Sequence, residues 1–324
     1  MSAYIPLSVP TLKGNELKYV KECIDTEWVS SAGKYVELFE QKIAEYTGSK
    51  YAVACVNGTA AIQVSLRLAG VKPSDEVIVS TLTFIASVNA ITYNNATPIF
   101  MDADKYYNLD SEKTIEFIKN ETVYKNGFTY NKNTDKKISA ILPVHVWGNA
   151  CWLDELINLC EERNIAVVED ACESLGTFYK EDKFNRKHTG AIGKLGCLSF
   201  NGNKIITTGG GGMILTDDQA LAEKAKYLTT QAKDDAIRYV HDEIGYNFRL
   251  TNIQSALGVA QLEQLPNILN RKKEIYNYYQ SAIENIDGLS ISKFPNYADN
   301  NHWMNLLKIE NKVYNEDREV LMKR

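Results

Sequence analysis

From Tyr51 onward, short apolar runs alternate with segments of helical period, and this alternation restricts the fold more than any other feature of the chain. YAVACV leads into NGTAAIQVSLRLAG, EVIVS into TFIASVNAITYN, TPIFMDAD into SEKTIEFIKN, and ISAILPVHV into ACWLDELINLCEERN; IAVVEDA and LGCLSF then add two further runs. Strands this apolar are buried on both faces, which calls for helices on each side. The expected class is α/β, with a mostly parallel sheet covered by helices on both faces.

The rest of the chain is arranged around that core. An amphipathic pair of helices is expected before it, over roughly Asn15 to Trp28 and Lys34 to Tyr46. ETVYKNGFTYNKNTDKK, Glu121 to Lys137, breaks the rhythm with polar residues and reads as an inserted surface hairpin or loop. Beyond Asp217 the pattern turns helical, in DDQALAEKAKYLTT and then TNIQSALGVAQLEQLPNILNRKKEIYNYYQSAIENI. The β-like HWMNLLKIE and the helical start NEDREVLMKR follow. The expected division is a large α/β domain over 1–230, including the N-terminal helices, and over 231–324 an interface segment, long helices and the start of a smaller α+β domain that is cut short.

With 324 residues, 44% of them hydrophobic, the chain can bury a sizeable core. Its formal charge of −5 is spread without a long run of one sign, which argues against nucleic-acid or membrane-surface binding. Six cysteines without C-x-x-C spacing point to a reduced, cytoplasmic protein with no zinc site, and the scattered His145, His188, His241 and His302 suggest no metal cluster. The opening residues lack a secretory pattern, and no segment approaches a membrane span.

Ligands of parallel α/β sheets sit outside the carboxyl ends of the strands. Asn57, Gly58 and Thr59 follow VACV at a helix start, where backbone N–H groups favour a phosphate; a plain N-cap is the competing reading. Asp170 closes the buried run IAVVED and needs either a cationic partner, such as a protonated heterocycle or a structural Arg, or strong donors such as a helix N-terminus. Phe84, after EVIVS, could stack on a flat ring or belong to the core. His145 is expected to satisfy its nitrogens locally. Lys204, between LSF and four glycines, is a solvated loop lysine, a phosphate binder or a Schiff-base lysine. A helix-start anion site, an aromatic, an acid at a strand end and a lysine beyond it together describe a holder of pyridoxal 5′-phosphate (PLP).

SFNGNKIITTGGGGM, VVEDACESLG, VNGTAA, TFIASVNAI and GYNFRLTNIQSALGVAQL together resemble the PLP-dependent sugar aminotransferases of the DegT/DnrJ/EryC1/StrS family, from about Ile5 to Leu265. TTQAKDD, RYVHDEIGYNFRLTN and the ETVYKNGFTYNKNT insertion are most similar to the branch that aminates C4 of nucleotide-linked 4-keto-6-deoxy sugars on the routes to legionaminic acid and bacillosamine.

The resemblance implies fold type I and a homodimer with shared active sites. It also implies Lys204 as the Schiff-base and proton-transfer lysine, Asp170 as partner of the pyridinium nitrogen, and Phe84 over the ring. Gly58, Thr59 and Ser199 would hold the phosphate, Glu173 would lie near the ring hydroxyl, and Asn247 would reach the neighbouring subunit's cofactor. Trp28, Ser30 and Arg249 are implied at the sugar-nucleotide site, or in a structural role. L-Glutamate is the implied donor and a UDP-linked sugar derived from N-acetylglucosamine the implied acceptor. Sugar 3-dehydrases of this fold carry histidine in place of the lysine, so Lys204 favours amino transfer.

Relatives usually continue for several tens of residues past the end of this chain. Two rivals differ in class. One is a PLP-binding regulator without turnover. The other is an NAD-dependent Rossmann enzyme, disfavoured because no G-x-G-x-x-G follows the first strand.

Overall fold

The computed structural model describes residues 6–323 apart from Ala236, and the side chain of Asp182 is also not described. Ile5, where the family resemblance begins, lies outside the described residues.

Two helices come first, α1 (Glu16–Asp25) and α2 (Lys34–Thr47). The expected first helix was longer; Glu27, at φ 59°, turns the chain into the left-handed region just beyond its end. Next come β1 (Tyr51–Cys55), α3 (Gly58–Leu68), β2 (Glu76–Ser80), α4 (Ile85–Tyr93), β3 (Thr97–Met101) and α5 (Ser111–Asn120). The expected insertion forms a hairpin of β4 (Thr122–Lys125) and β5 (Phe128–Asn131). Its two-residue turn has Asn126 and Gly127 both at positive φ, the geometry that matches strand twist.

The core then resumes with β6 (Ile138–Leu142), α6 (Asp154–Glu162), β7 (Ala166–Asp170), the short β8 (Phe178–Tyr179), β9 (Leu195–Ser199), β10 (Gly212–Thr216) and α7 (Gln219–Thr229). The 32-residue α8 (Asn252–Ile283) follows, with β11 (Leu289–Ile291), β12 (Ala298–Asp299), β13 (Leu307–Ile309), α9 (Asn311–Tyr314) and α10 (Arg318–Met322) after it.

Seven strands form the central sheet in the order β1-β10-β9-β7-β6-β2-β3. Its pairings are parallel except for β10, which runs antiparallel to both neighbours. Successive side chains enter opposite cores, as the period of two demands. Val53, Cys55 and Ile214 pack with α3 and α7, while Ala54, Met213 and Leu215 pack with α2 and α8. Farther along, Ile78, Ile141 and Val167 meet α5 and α6.

The first part of α8 thus belongs to the sheet's own core through Ala256, Val259 and Leu265. A capping box starts the helix: Thr251 accepts from the Gln254 N–H, and the Gln254 side chain accepts from that of Thr251. Two-sided burial brings the carboxyl ends of β1, β2, β6, β7 and β9 to one edge. The β4–β5 hairpin is tied to the opposite edge, where Asn131 donates to Glu76 (2.9 Å) and Thr129 to the Arg163 carbonyl (2.6 Å).

Candidate active site

The end of β7 carries Asp170, only 5% exposed. Its carboxylate accepts the Cys172 N–H at 3.1 Å and the Ser87 hydroxyl at 2.6 Å. Among the described residues it has no lysine or arginine partner. A buried carboxylate with two neutral donors and no cation suits a cationic N–H arriving from a ligand. Ser87 sits on the first turn of α4, and its N–H donates to the Phe84 carbonyl at 3.2 Å. Phe84 is the N-cap of that helix, and the residue is 70% exposed at the same edge.

Past β1, Asn57 caps α3 by accepting the Ala60 N–H at 2.8 Å, so the N-cap reading of this stretch is correct. The helix start also keeps donors free for an anion. The N–H groups of Gly58 and Thr59 have no hydrogen-bond partner among the described residues, nor do the Thr59 and Ser199 hydroxyls. A Cβ on Gly58 would come within 2.7 Å of Cys172 Sγ and 2.9 Å of Ser199 Cβ, which places the helix start against the ends of β7 and β9.

Lys204 follows β9 in a turn, its N–H donating to the Asn201 carbonyl. Its side chain is 14% exposed, which excludes the solvated-loop reading. The amine lies 3.5 Å from Glu173 Oε1 and 4.2 Å from the centre of the Trp303 ring. Glu173 also accepts the Trp147 N–H at 2.7 Å. Burial pushes the Glu173 carboxyl above its usual range, and the Lys204 charge offsets part of that rise. Of the glycines after Lys204, Gly209 adopts φ 78°, and a Cβ on Gly212 would strike the Asn57 carbonyl at 2.4 Å. The run therefore lets β10 leave directly beneath the start of α3.

Gly58, Thr59, Phe84, Asp170, Glu173, Ser199 and Lys204 thus converge on one edge of the sheet. Other candidates lie apart. Asn247 is exposed, and its side chain is bonded to Arg249 (3.3 Å), not to these residues. Arg249 reaches Gln231 and Asn247 and leaves its buried Nε without a partner among the described residues. Trp28 and Ser30 accept from Asn252 at the start of α8 through their carbonyls, at 2.7 and 2.6 Å, and Trp28 lines a cavity of about 320 Å³ with Tyr35 and Lys34. His145 is satisfied locally as expected: Nδ1 accepts the Cys151 N–H, so Nε2 donates to Glu169. Ser87, Trp303 and Trp147 were not singled out from sequence. Ser87 lies three residues after Phe84, within one helical turn, a spacing that could have revealed it; Trp303, a hundred residues from Lys204, gave no local signal.

An anion site at a helix start, a buried acid without a cation, an exposed ring and a desolvated lysine form the donor set of a PLP-binding α/β protein, and the residues present fit that group. Residues 10–324 match the DegT/DnrJ/EryC1/StrS aminotransferase family. The chain is 40% identical over 301 residues to a GDP-perosamine synthase of Escherichia coli O157:H7, covering 93% of this chain and 77% of that protein. It is 38% identical over 314 residues to the putative pyridoxal phosphate-dependent aminotransferase EpsN of Bacillus subtilis strain 168, covering 96% and 76%. The crystal structure of the aminotransferase TlmJ from Streptoalloteichus hindustanus superposes with a TM-score of 0.86 at 25% identity, over 99% of this chain and 82% of that one.

The chain belongs to the DegT/DnrJ/EryC1/StrS aminotransferase family. It is a PLP-dependent aminotransferase of fold type I.

Proposed function

We propose that this enzyme moves the amino group of L-glutamate to the C4 ketone of a nucleotide-linked 4-keto-6-deoxy sugar, giving a 4-amino sugar for bacterial surface glycans. The observation that carries this reading is the Lys204 amine, part-desolvated beside Glu173, on the same edge as the cation-free Asp170 and the open start of α3.

Bound PLP supplies an electron sink and carries the amino group between donor and acceptor. The Asp170 carboxylate, held by Ser87 and Cys172, keeps a proton on the ring nitrogen. The N–H groups of Gly58 and Thr59, with the Ser199 hydroxyl, bind the phosphate; Phe84 covers the ring, and Glu173 lies near the ring hydroxyl. Lys204 would hold the cofactor covalently and, when released from it, would serve as the base that moves a proton at the reacting carbon in each of two ping-pong half-reactions. In that ping-pong order 2-oxoglutarate would be released before the sugar is aminated.

In this reading residues 1–230 bind the cofactor and 231–324 supply the interface and second unit of a cytoplasmic homodimer. Asn247, exposed and with its side chain bonded to Arg249, would reach the cofactor of the neighbouring subunit, and Trp28, Ser30 and Arg249 would shape the sugar-nucleotide site. Among the described residues no helix is long and apolar enough to cross a membrane. The motifs shared with the legionaminic acid and bacillosamine branch favour a UDP-linked N-acetylhexosamine as acceptor. The name of the 40%-identical GDP-perosamine synthase supports a second reading, in which the nucleotide is GDP.

Mass spectrometry of UDP- and GDP-linked 4-keto sugars incubated with glutamate tests both. Glutamate-dependent 4-amino product from one class is expected. No product from either, with a cofactor spectrum unmoved by millimolar glutamate, would overturn the proposal in favour of a regulatory PLP binder.

A further inference from the structure

The segment Asn300–Trp303, on the far side of α8 in sequence, returns to the lysine edge and is pinned there on several sides. Asn301 is buried. Its amide donates to the Glu173 carbonyl (2.9 Å) and the Leu175 carbonyl (3.0 Å), and its N–H donates to the Thr177 hydroxyl (3.1 Å). Its Oδ1 accepts the Trp303 N–H at 3.0 Å. Gly148 makes room for it: a Cβ there would lie 2.0 Å from Asn301 Oδ1.

Trp303 is 6% exposed and packs in the apolar cluster shared with α8. Its indole N–H donates to the Asn203 carbonyl at 2.7 Å, one residue before Lys204. Its ring faces the Lys204 amine at 4.2 Å, while Glu173 approaches the same amine at 3.5 Å. One side chain thus holds both the backbone that carries the lysine and the charged end of the lysine itself.

A tryptophan face attracts a cation most strongly when both are shielded from water. A reacting amine displaced by a fraction of its working distance loses rate out of proportion to the displacement. We infer that Trp303 is a positioning residue for Lys204, setting where the amine stands through its ring face and the Asn203 bond. Asn301 holds Trp303 and Glu173 in a common frame. This inference rests on Lys204 being the residue that anchors PLP.

The test uses the full chain. PLP is removed and returned, and the absorbance of lysine-bound cofactor is followed in time; kcat and KM for the sugar are measured alongside. Trp303→Leu is expected to slow capture about tenfold, equivalent to about 1.4 kcal/mol, and to lower kcat similarly with KM for the sugar changed less than about twofold. Trp303→Phe keeps a weaker face but loses the N–H bond, and should slow capture about threefold.

A Trp303→Leu protein with wild-type melting temperature and wild-type capture would overturn the inference. If that variant does not fold, unchanged capture by Trp303→Phe overturns it. Lys204→Ala separates the two levels: a surviving absorbance band there would sink the assignment of Lys204, whereas a lost band with unaffected Trp303 variants would sink only the role of Trp303.

Discussion

Glu169 and Asp170 are consecutive acids on β7, both buried, and their side chains leave the strand on opposite faces. Glu169 is enclosed by donors: His145 Nε2 at 2.9 Å and the N–H groups of Gly190, Ile192 and Gly193 at 2.9, 2.7 and 2.6 Å. Burial pushes its carboxyl up, but His145 and these backbone groups outweigh burial and hold it below the usual carboxylate range. Asp170 has two donors and faces the edge where Phe84, Lys204 and the start of α3 meet. One acid is closed by the fold, and the other is left with capacity for a partner. Equal burial therefore says little about role; the remaining hydrogen-bonding capacity separates a structural charge from a ligand-binding one.

Substitutions on the two faces should separate in the same way. The largest effect belongs to the open side, where Lys204→Ala should remove the absorbance of lysine-bound cofactor and lower transamination by roughly 10³-fold or more; retained turnover would break the comparison outright. On the proposed shared-site homodimer, mixing these chains with Asn247→Ala chains should restore part of the activity, and no recovery would count against that arrangement. Asp170→Asn should cost roughly 10²-fold or more in kcat/KM while leaving urea stability within about 1 kcal/mol, because the Ser87 hydroxyl can reverse to accept from the new amide.

The closed side should register as stability. His188 lies fully buried near Glu169, accepting the Gly176 N–H at 2.9 Å. Burial lowers its pKa from 6.5 to about 4. The unfolded chain therefore binds the proton first, and stability falls by about 3 kcal/mol as pH drops from 6.5 toward 4. Urea titrations across that range check this, and His188→Gln should flatten the slope.

Glu169→Gln should cost about 2–3 kcal/mol at neutral pH by leaving buried donors unpaired, with kcat per folded molecule unchanged. Glu169's own contribution is complete above the unfolded carboxyl value near 4.5 and is lost as pH falls through the lower folded value. The smallest effect is Ser87→Ala, about fivefold in kcat/KM or about 1 kcal/mol, read by steady-state kinetics.

The fold was largely legible because two-sided burial writes itself into sequence as continuous apolar runs separated by helical periods. The hairpin over Thr122–Asn131 was legible as an interruption. Its place on the edge away from Lys204 was not, since that depends on Asn131 and Thr129 meeting Glu76 and Arg163 across sequence gaps. Within the site, Asp170, Lys204 and Gly58 were visible because each ends or follows a strand, where ligands gather. The return of Trp303 to Lys204 was not, because a cation–π contact between residues a hundred positions apart leaves no periodic trace.

The order and type of the elements, and the residue kinds proposed to meet PLP, follow from local pattern, since hydrophobic period and strand-end chemistry are properties of short stretches. Which acid on β7 is closed and which stays open is a matter of tertiary structure. Glu169 is satisfied by the N–H groups of a loop 21 to 24 residues ahead and a histidine 24 residues behind, and only the packed sheet brings those donors to one face and leaves Asp170 on the other.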